Sequence, residues 1–240
     1  MNSITQKAVV KTELNTCLQR FAENDPDDFI IELNHRLLQV KVKFPLLEYC
    51  ADIIYQTLPA HHHLHLCDKI ESLKTEGGNV LIGILLQKRL DDHLQESMIK
   101  AAQYLANADI WYVSDIIGER VFGWGLLHHF SETYPILHEF RNHSSNWVVR
   151  AIGAGSHYAI KKGLCDRETE KMFVLLLTLA KAKDYHIKTG IGWAAKTAAR
   201  FHPEVVAKYN DVLKDGTKTG HWFRNKVSIG LERNIYAQRN

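Results

Sequence analysis

Trp111 and Asp115 stand four residues apart in the stretch Ala108-Asp-Ile-Trp-Tyr-Val-Ser-Asp115. In a helix that spacing stacks an indole and a carboxylate on one face, a turn apart. Two further groups follow. Arg150 closes Trp147-Val-Val-Arg150, and Trp193 closes Lys188-Thr-Gly-Ile-Gly-Trp193. An indole face and a carboxylate both stabilise positive charge, while a guanidinium matches a phosphate. Two indoles, one acid and one guanidinium on three helices would form a cationic, aromatic-walled cleft. Such a cleft suits a nucleic-acid sugar and its phosphate better than a small hydrophobic metabolite. Each group also has a structural reading. Trp111 and Trp193 would serve as core, Asp115 would cap a helix or pair with Arg120, and Arg150 would bridge to a neighbouring helix. Trp147 reads as core.

The charge distribution points the same way. Residues 1–150 carry 14 Lys and Arg against 19 Asp and Glu, whereas residues 151–240 carry 16 against 8. Basic charge gathered in one half is the footprint of a polyanion-binding surface, or else an ordinary solvated face. The phosphate-binding candidates are Lys161, Lys162, Lys188, Lys196, Arg200, Lys218, Arg224 and Lys226.

The elements that must position these groups are helices. Hydrophobic content of 45% and charged content of 24% are ordinary for a globular protein. Apolar periodicity predicts helices near 4–22, 27–38, 45–57, 62–75, 78–90, 93–105, 109–128, 131–142, 146–162, 167–182, 185–201, 204–214 and 218–235. Starts are expected at Asp25-Pro26, Asp166 and His202-Pro203, and stops at Gly77-Gly78, Gly163 and Gly216. The one short alternating stretch is Val40-Lys41-Val42-Lys43-Phe44, ended by Pro45. Gly190 and Gly192 weaken a helix and predict a close neighbour at that backbone. Helix pairs recur over 62–90, 93–128, 131–162, 167–201 and 204–235, a repeat of pattern only. The expectation is an all-α protein: one domain over 1–240, an α-solenoid of HEAT- or armadillo-like antiparallel helix pairs with a concave DNA-binding face.

Taken together, Trp-x-x-x-Asp, Trp-x-x-Arg and Lys-x-x-Ile-Gly-Trp, with Ile191-Gly-Trp-Ala-Ala-Lys196 followed by Phe201-His-Pro-Glu204, resemble the AlkD-type DNA alkylation repair family. The resemblance runs over about 90–230 and is strongest from 108 to 204. It implies a HEAT-like solenoid gripping duplex DNA and a glycosylase that removes cationic N3- and N7-alkylated purines. By position it implies that Asp115 is the catalytic carboxylate, that Trp111 and Trp193 line the cleft against the deoxyribose, and that Arg150 holds a backbone phosphate. The resemblance departs at the family's N-terminal aromatic, where Glu32 stands. Tyr49 and Tyr55 on the next helix are the substitutes, and a carboxylate there would repel phosphate.

No cofactor and no metal are expected. His61-His62-His63 with His65 and Cys67 lacks a matching second cluster and reads as surface or capping residues. Cys17, Cys50, Cys67 and Cys165 are scattered, as structural thiols of a reducing compartment would be. No apolar run approaches the roughly 20 residues of a membrane span, and the N-terminus lacks a signal-peptide pattern. The expected partner is double-stranded DNA, possibly alkylated, and the expected protein is a cytoplasmic monomer. The alternatives are a HEAT-repeat protein that binds damaged or branched DNA without cutting it, and a protein-interaction scaffold.

Overall fold

Apolar residues spaced by three and four positions make the chain helical almost throughout, so the all-α class expected from periodicity holds. The structure, a computed structural model, describes residues 3–21 and 26–237, with side chains as far as 234. Asp25, expected to start a helix, lies outside the described residues. The chain divides into two compact units, 1–91 and 92–240.

The first unit holds β1 (Ser3–Ile4), α1 (Lys7–Leu18), α2 (Asp27–Leu33), a π-helical turn Asn34–Leu38, β2 (Lys41–Val42), α3 (Phe44–Thr57), α4 (His63–Ser72) and α5 (Glu76–Lys88). α1 buries Val10, Leu14 and Cys17, one stripe of a single face. The alternating stretch around Lys41 does form a strand, paired in parallel with Ser3 and Ile4. That pairing takes up the start of the expected 4–22 helix, which begins at Lys7 instead. Gly77-Gly78 does not stop a helix. Lys74, at φ 53°, ends α4, and Thr75 Oγ1 accepts from the Gly78 N–H at 3.1 Å to cap α5. A Cβ at Gly78 would meet Ile70 Cγ2 at 2.9 Å, so tertiary packing decides that residue.

The histidine run is not a surface feature throughout. His62 and His63 are buried, and His63 Nε2 is bonded to the Leu58 carbonyl at 2.9 Å. Among the described residues no three His, Cys, Asp or Glu side chains are grouped to hold a metal. Cys17, Cys50 and Cys67 are buried, and burial pushes the thiols of Cys17 and Cys50 up to about 11 and about 12. Cys165 is exposed. Glu32 is paired with Arg36 Nε at 2.6 Å, and Arg36 Nη1 also reaches Glu13 at 2.9 Å. The Glu32 carboxylate is thus partly neutralised within its own unit.

The second unit follows from α6 (Leu90–Ala108), kinked at His93. Then come α7 (Trp111–Ile117), a π-helical segment Gly118–Gly123, α8 (Trp124–His128), α9 (Phe130–Phe140), α10 (Asn146–Lys161), α11 (Asp166–Thr178), α12 (Tyr185–Phe201), α13 (Pro203–Ala207), α14 (Asn210–Lys214) and α15 (His221–Ala237). Small residues bring the site-bearing helices together. Gly118 lies against Ala151 and Ala154, and Gly123 against Gly155 and Tyr158. A Cβ at Gly153 would fall 2.2 Å from the Gly190 carbonyl group, while one at Gly190 would fall 2.4 Å from the Arg150 oxygen. Gly230 meets Lys196 and Ala199 in the same way. Residue numbers rise together in every pair, so the 111–128 stretch, α10, α12 and α15 lie side by side and run parallel. The chain therefore returns between successive members, and α9, α11 and α13 contact one another in turn. The stop expected at Gly163 is real, with φ 106° after α10.

Candidate active site

Asp115 sits one turn into α7, and α10 places Arg150 opposite it. Arg150 Nε donates to Asp115 Oδ1 at 3.1 Å, and Nη2 donates to Oδ1 and Oδ2 at 2.9 Å each. The pairing is possible because Gly118 admits α10 so closely. Arg150 is 5% exposed, a depth at which a guanidinium needs a carboxylate partner. The Asp115 side chain is the more accessible of the two, at 21% against 6%. The acid is therefore fixed in orientation from behind while part of it still reaches solvent. Asp115 pairs with Arg150 here, and Nη1 is the terminal nitrogen left outside the pair.

Trp111 begins α7 and is 57% exposed, so its indole is not core. Tyr112 meets it edge-on, with ring centroids 6.1 Å apart. The turn before it is held from another helix. Asp109 adopts φ 50°, and its Oδ1 accepts from Trp147 Nε1 at 2.7 Å. The Trp147 ring lies 4.1 Å from the ring of His186 at the start of α12. Trp147 is only half-buried, which corrects its reading as core. Asp184 caps α12 by accepting from the N–H groups of His186 and Ile187 at 2.9 Å, which fixes that end.

Glu119 continues the stripe one turn beyond Asp115, in the π-helical segment. Burial pushes its carboxyl above the ordinary range; Arg120 and Lys161 oppose that shift and Asp115 adds to it. Sequence reasoning missed Glu119, although its i+4 and i+8 spacing from Asp115 and Trp111 was legible. Two carboxyls with differently charged surroundings therefore lie along one helix face.

Trp193 is the second expected indole. It stacks on His157 of α10 at 3.9 Å and 24°. Thr197 Oγ1 donates to the Trp193 carbonyl at 3.0 Å and lies 2.7 Å from His157 Nδ1. Burial, then the charges of Lys161 and Lys196, lowers His157 to about 4. The folded state thus prefers the neutral ring, and the unfolded chain binds more protons between about 6.5 and about 4. This contribution to stability is whole above about pH 6.5 and is lost as pH falls through that window. Replacing His157 by Phe should shrink the drop in unfolding midpoint between about pH 7.5 and about pH 5. An unchanged drop in thermal melts would refute that origin.

Residues 70–219 match the DNA alkylation repair enzyme family, a span that holds Trp111, Asp115, Arg150 and Trp193. The chain belongs to the DNA alkylation repair enzyme family. No curated protein and no solved structure matches it. Membership in this family implies a role in alkylation repair, with DNA as the partner. Among the described residues no helix is long and apolar enough to cross a membrane.

The remaining cations of this repair protein fall into two groups. Lys161, Lys196 and Arg200 converge on a pocket of about 190 Å³ beside Trp193 and His157. Lys226 lies against Gly192, its Cγ 2.9 Å from where a Cβ would stand, so the close neighbour expected there is an aliphatic stem. Burial lowers Lys196, and the like charges of Arg233, Lys226 and Arg200 add to that. The others are placed differently. Arg224 Nη1 donates to the Thr219 carbonyl at 2.6 Å, and Lys218 is 3.8 Å from Asp215. Lys162 stands over the Tyr158 ring at 5.9 Å, and Lys188 is half-buried on the first turns of α12.

Proposed function

We propose that this protein is a cofactor-free DNA glycosylase that excises cationic N3- and N7-alkylated purines from duplex DNA. The observation that carries the reading is the Asp115 carboxylate, aimed by a bidentate buried Arg150 and set one turn from an exposed Trp111 indole. An alkylated purine is already positively charged, so it leaves with the electron pair of the C1′–N bond and becomes neutral. Positive charge then moves to the sugar. Asp115 stabilises that charge electrostatically, and the indole faces of Trp111 and Trp193 add cation–π stabilisation of roughly 0.5–2 kcal/mol each. Water adds to C1′ and gives up a proton, leaving an abasic site.

The parallel run of α7–α8, α10, α12 and α15, with return helices between them, supports a HEAT-like solenoid for the second unit. In this reading Lys161, Lys196 and Arg200 neutralise DNA phosphate, and Arg150 offers Nη1 to a phosphate while clamping Asp115. Lys162, Lys188, Lys218, Arg224 and Lys226 are assigned to the outer reach of the same duplex. The test is release of 7-methylguanine or 3-methyladenine from methylated duplex DNA. Binding without release of either base would remove the enzyme reading. A binding-only protein is the second reading, favoured by the engagement of both Asp115 oxygens with Arg150.

The electrostatic part is measurable separately. Each phosphate contact steepens the fall of log affinity with log salt by about 0.9. Lys196→Ala should reduce that slope by about one contact across all sequences. A slope unchanged within error would take Lys196 out of the interface. A flat slope in the wild type would favour a scaffold.

A further inference from the structure

The pocket beside Trp193 gathers more positive charge than one backbone phosphate requires. Lys161 arrives from the end of α10, Lys196 and Arg200 from successive turns of α12, and Arg233 from α15. None of the four forms a salt bridge among the described residues, and Arg200 Nε is buried with no hydrogen-bond partner among them. A buried guanidinium nitrogen without a partner is costly to maintain, and like charges drawn to one cavity repel. Both observations indicate an anionic ligand. Arg200 also stacks on Phe201 at 5.1 Å, which fixes its guanidinium at the wall.

Two properties indicate which anion. The donors come from three helices around one small cavity, whereas an internal phosphate must let the strand in and out. Four cations exceed the single charge of a diester. A phosphomonoester, with its second pKa of about 6, carries close to two charges at neutral pH, and a diester carries only one.

We propose that the Lys161–Lys196–Arg200–Arg233 pocket is a phosphomonoester site, taking the terminal phosphate of an interrupted DNA strand. The proposal rests on DNA as the partner but not on base excision. Its place in repair follows from chemistry: hydrolytic or eliminative cleavage of a DNA strand leaves a phosphorylated end, so a strand-cleaving reaction supplies this ligand.

The test uses the full chain and fluorescently labelled duplexes with one central nick. The nick carries a 5′-phosphate, a 3′-phosphate or hydroxyls only, and an unbroken duplex serves as reference. Anisotropy should give about tenfold tighter binding to one phosphorylated nick than to the hydroxyl nick. The favoured end identifies the source of the phosphate. Arg233→Ala and Arg200→Ala should each bring the ratio towards one, with circular dichroism showing that the variants fold. Equal affinity for phosphate and hydroxyl nicks would overturn the proposal, as would a preference that survives both substitutions. Base release without end preference sinks the pocket alone, and end preference without base release sinks the glycosylase reading alone.

Discussion

Asp115→Asn should lower base release by about 10²–10³-fold, the usual scale for removing one preorganised electrostatic group from a reacting centre. Asn keeps the shape and one carbonyl acceptor but not the charge that the sugar requires. The same substitution has a structural consequence. Arg150 is 5% exposed and loses its counter-charge, and breaking such a buried pair costs about 3–5 kcal/mol. That is a large part of the roughly 5–15 kcal/mol holding a typical domain together. Activity must therefore be read at a temperature where the variant is folded. The double variant Asp115→Asn with Arg150→Met separates the two effects, since it removes the orphaned charge. It should regain much of the unfolding midpoint while base release stays low. Release at the wild-type rate by folded Asp115→Asn would remove Asp115 from catalysis and leave the pair as a structural bridge.

The second large effect concerns packing. Gly190→Ala places a methyl 2.4 Å from the Arg150 oxygen, where the obstacle is backbone and cannot rotate away. α10 and α12 would have to separate, at an expected cost of about 3 kcal/mol. The separation would also pull His157 from Trp193 and Trp147 from His186, so catalysis and folding should fail together. Gly192→Ala is the control. Its methyl meets Lys226 Cγ at 2.9 Å, the flexible stem of a side chain that can swing aside. Relief of the helical glycine returns up to about 1 kcal/mol there, so little net loss is expected. Urea titration of the two variants gives the comparison. Equal midpoints for both would mean that the α10–α12 contact is not the rigid element described.

The sequence on its own determined whatever depends on neighbours along the chain. Apolar periodicity placed the helices, and the four-residue interval between Trp111 and Asp115 put both on one face of α7. The short motifs around Trp147, Arg150 and Trp193 were enough to indicate the family. Glycines at 190 and 192 announced close approaches without saying what approached. Tertiary structure decided everything that joins residues far apart in sequence. The Asp115–Arg150 pair spans 35 positions, and the Asp109–Trp147 bond spans 38. Both depend on how closely two helices meet, a distance set by Gly118, Gly123 and Gly155 rather than by the paired residues. Arg233 joins Lys161 only because α15 lies beside α12. His157 carried no signal of its own. It is held neutral because burial and two lysines from different helices act on it, and desolvation and charge proximity exist only once the chain is packed.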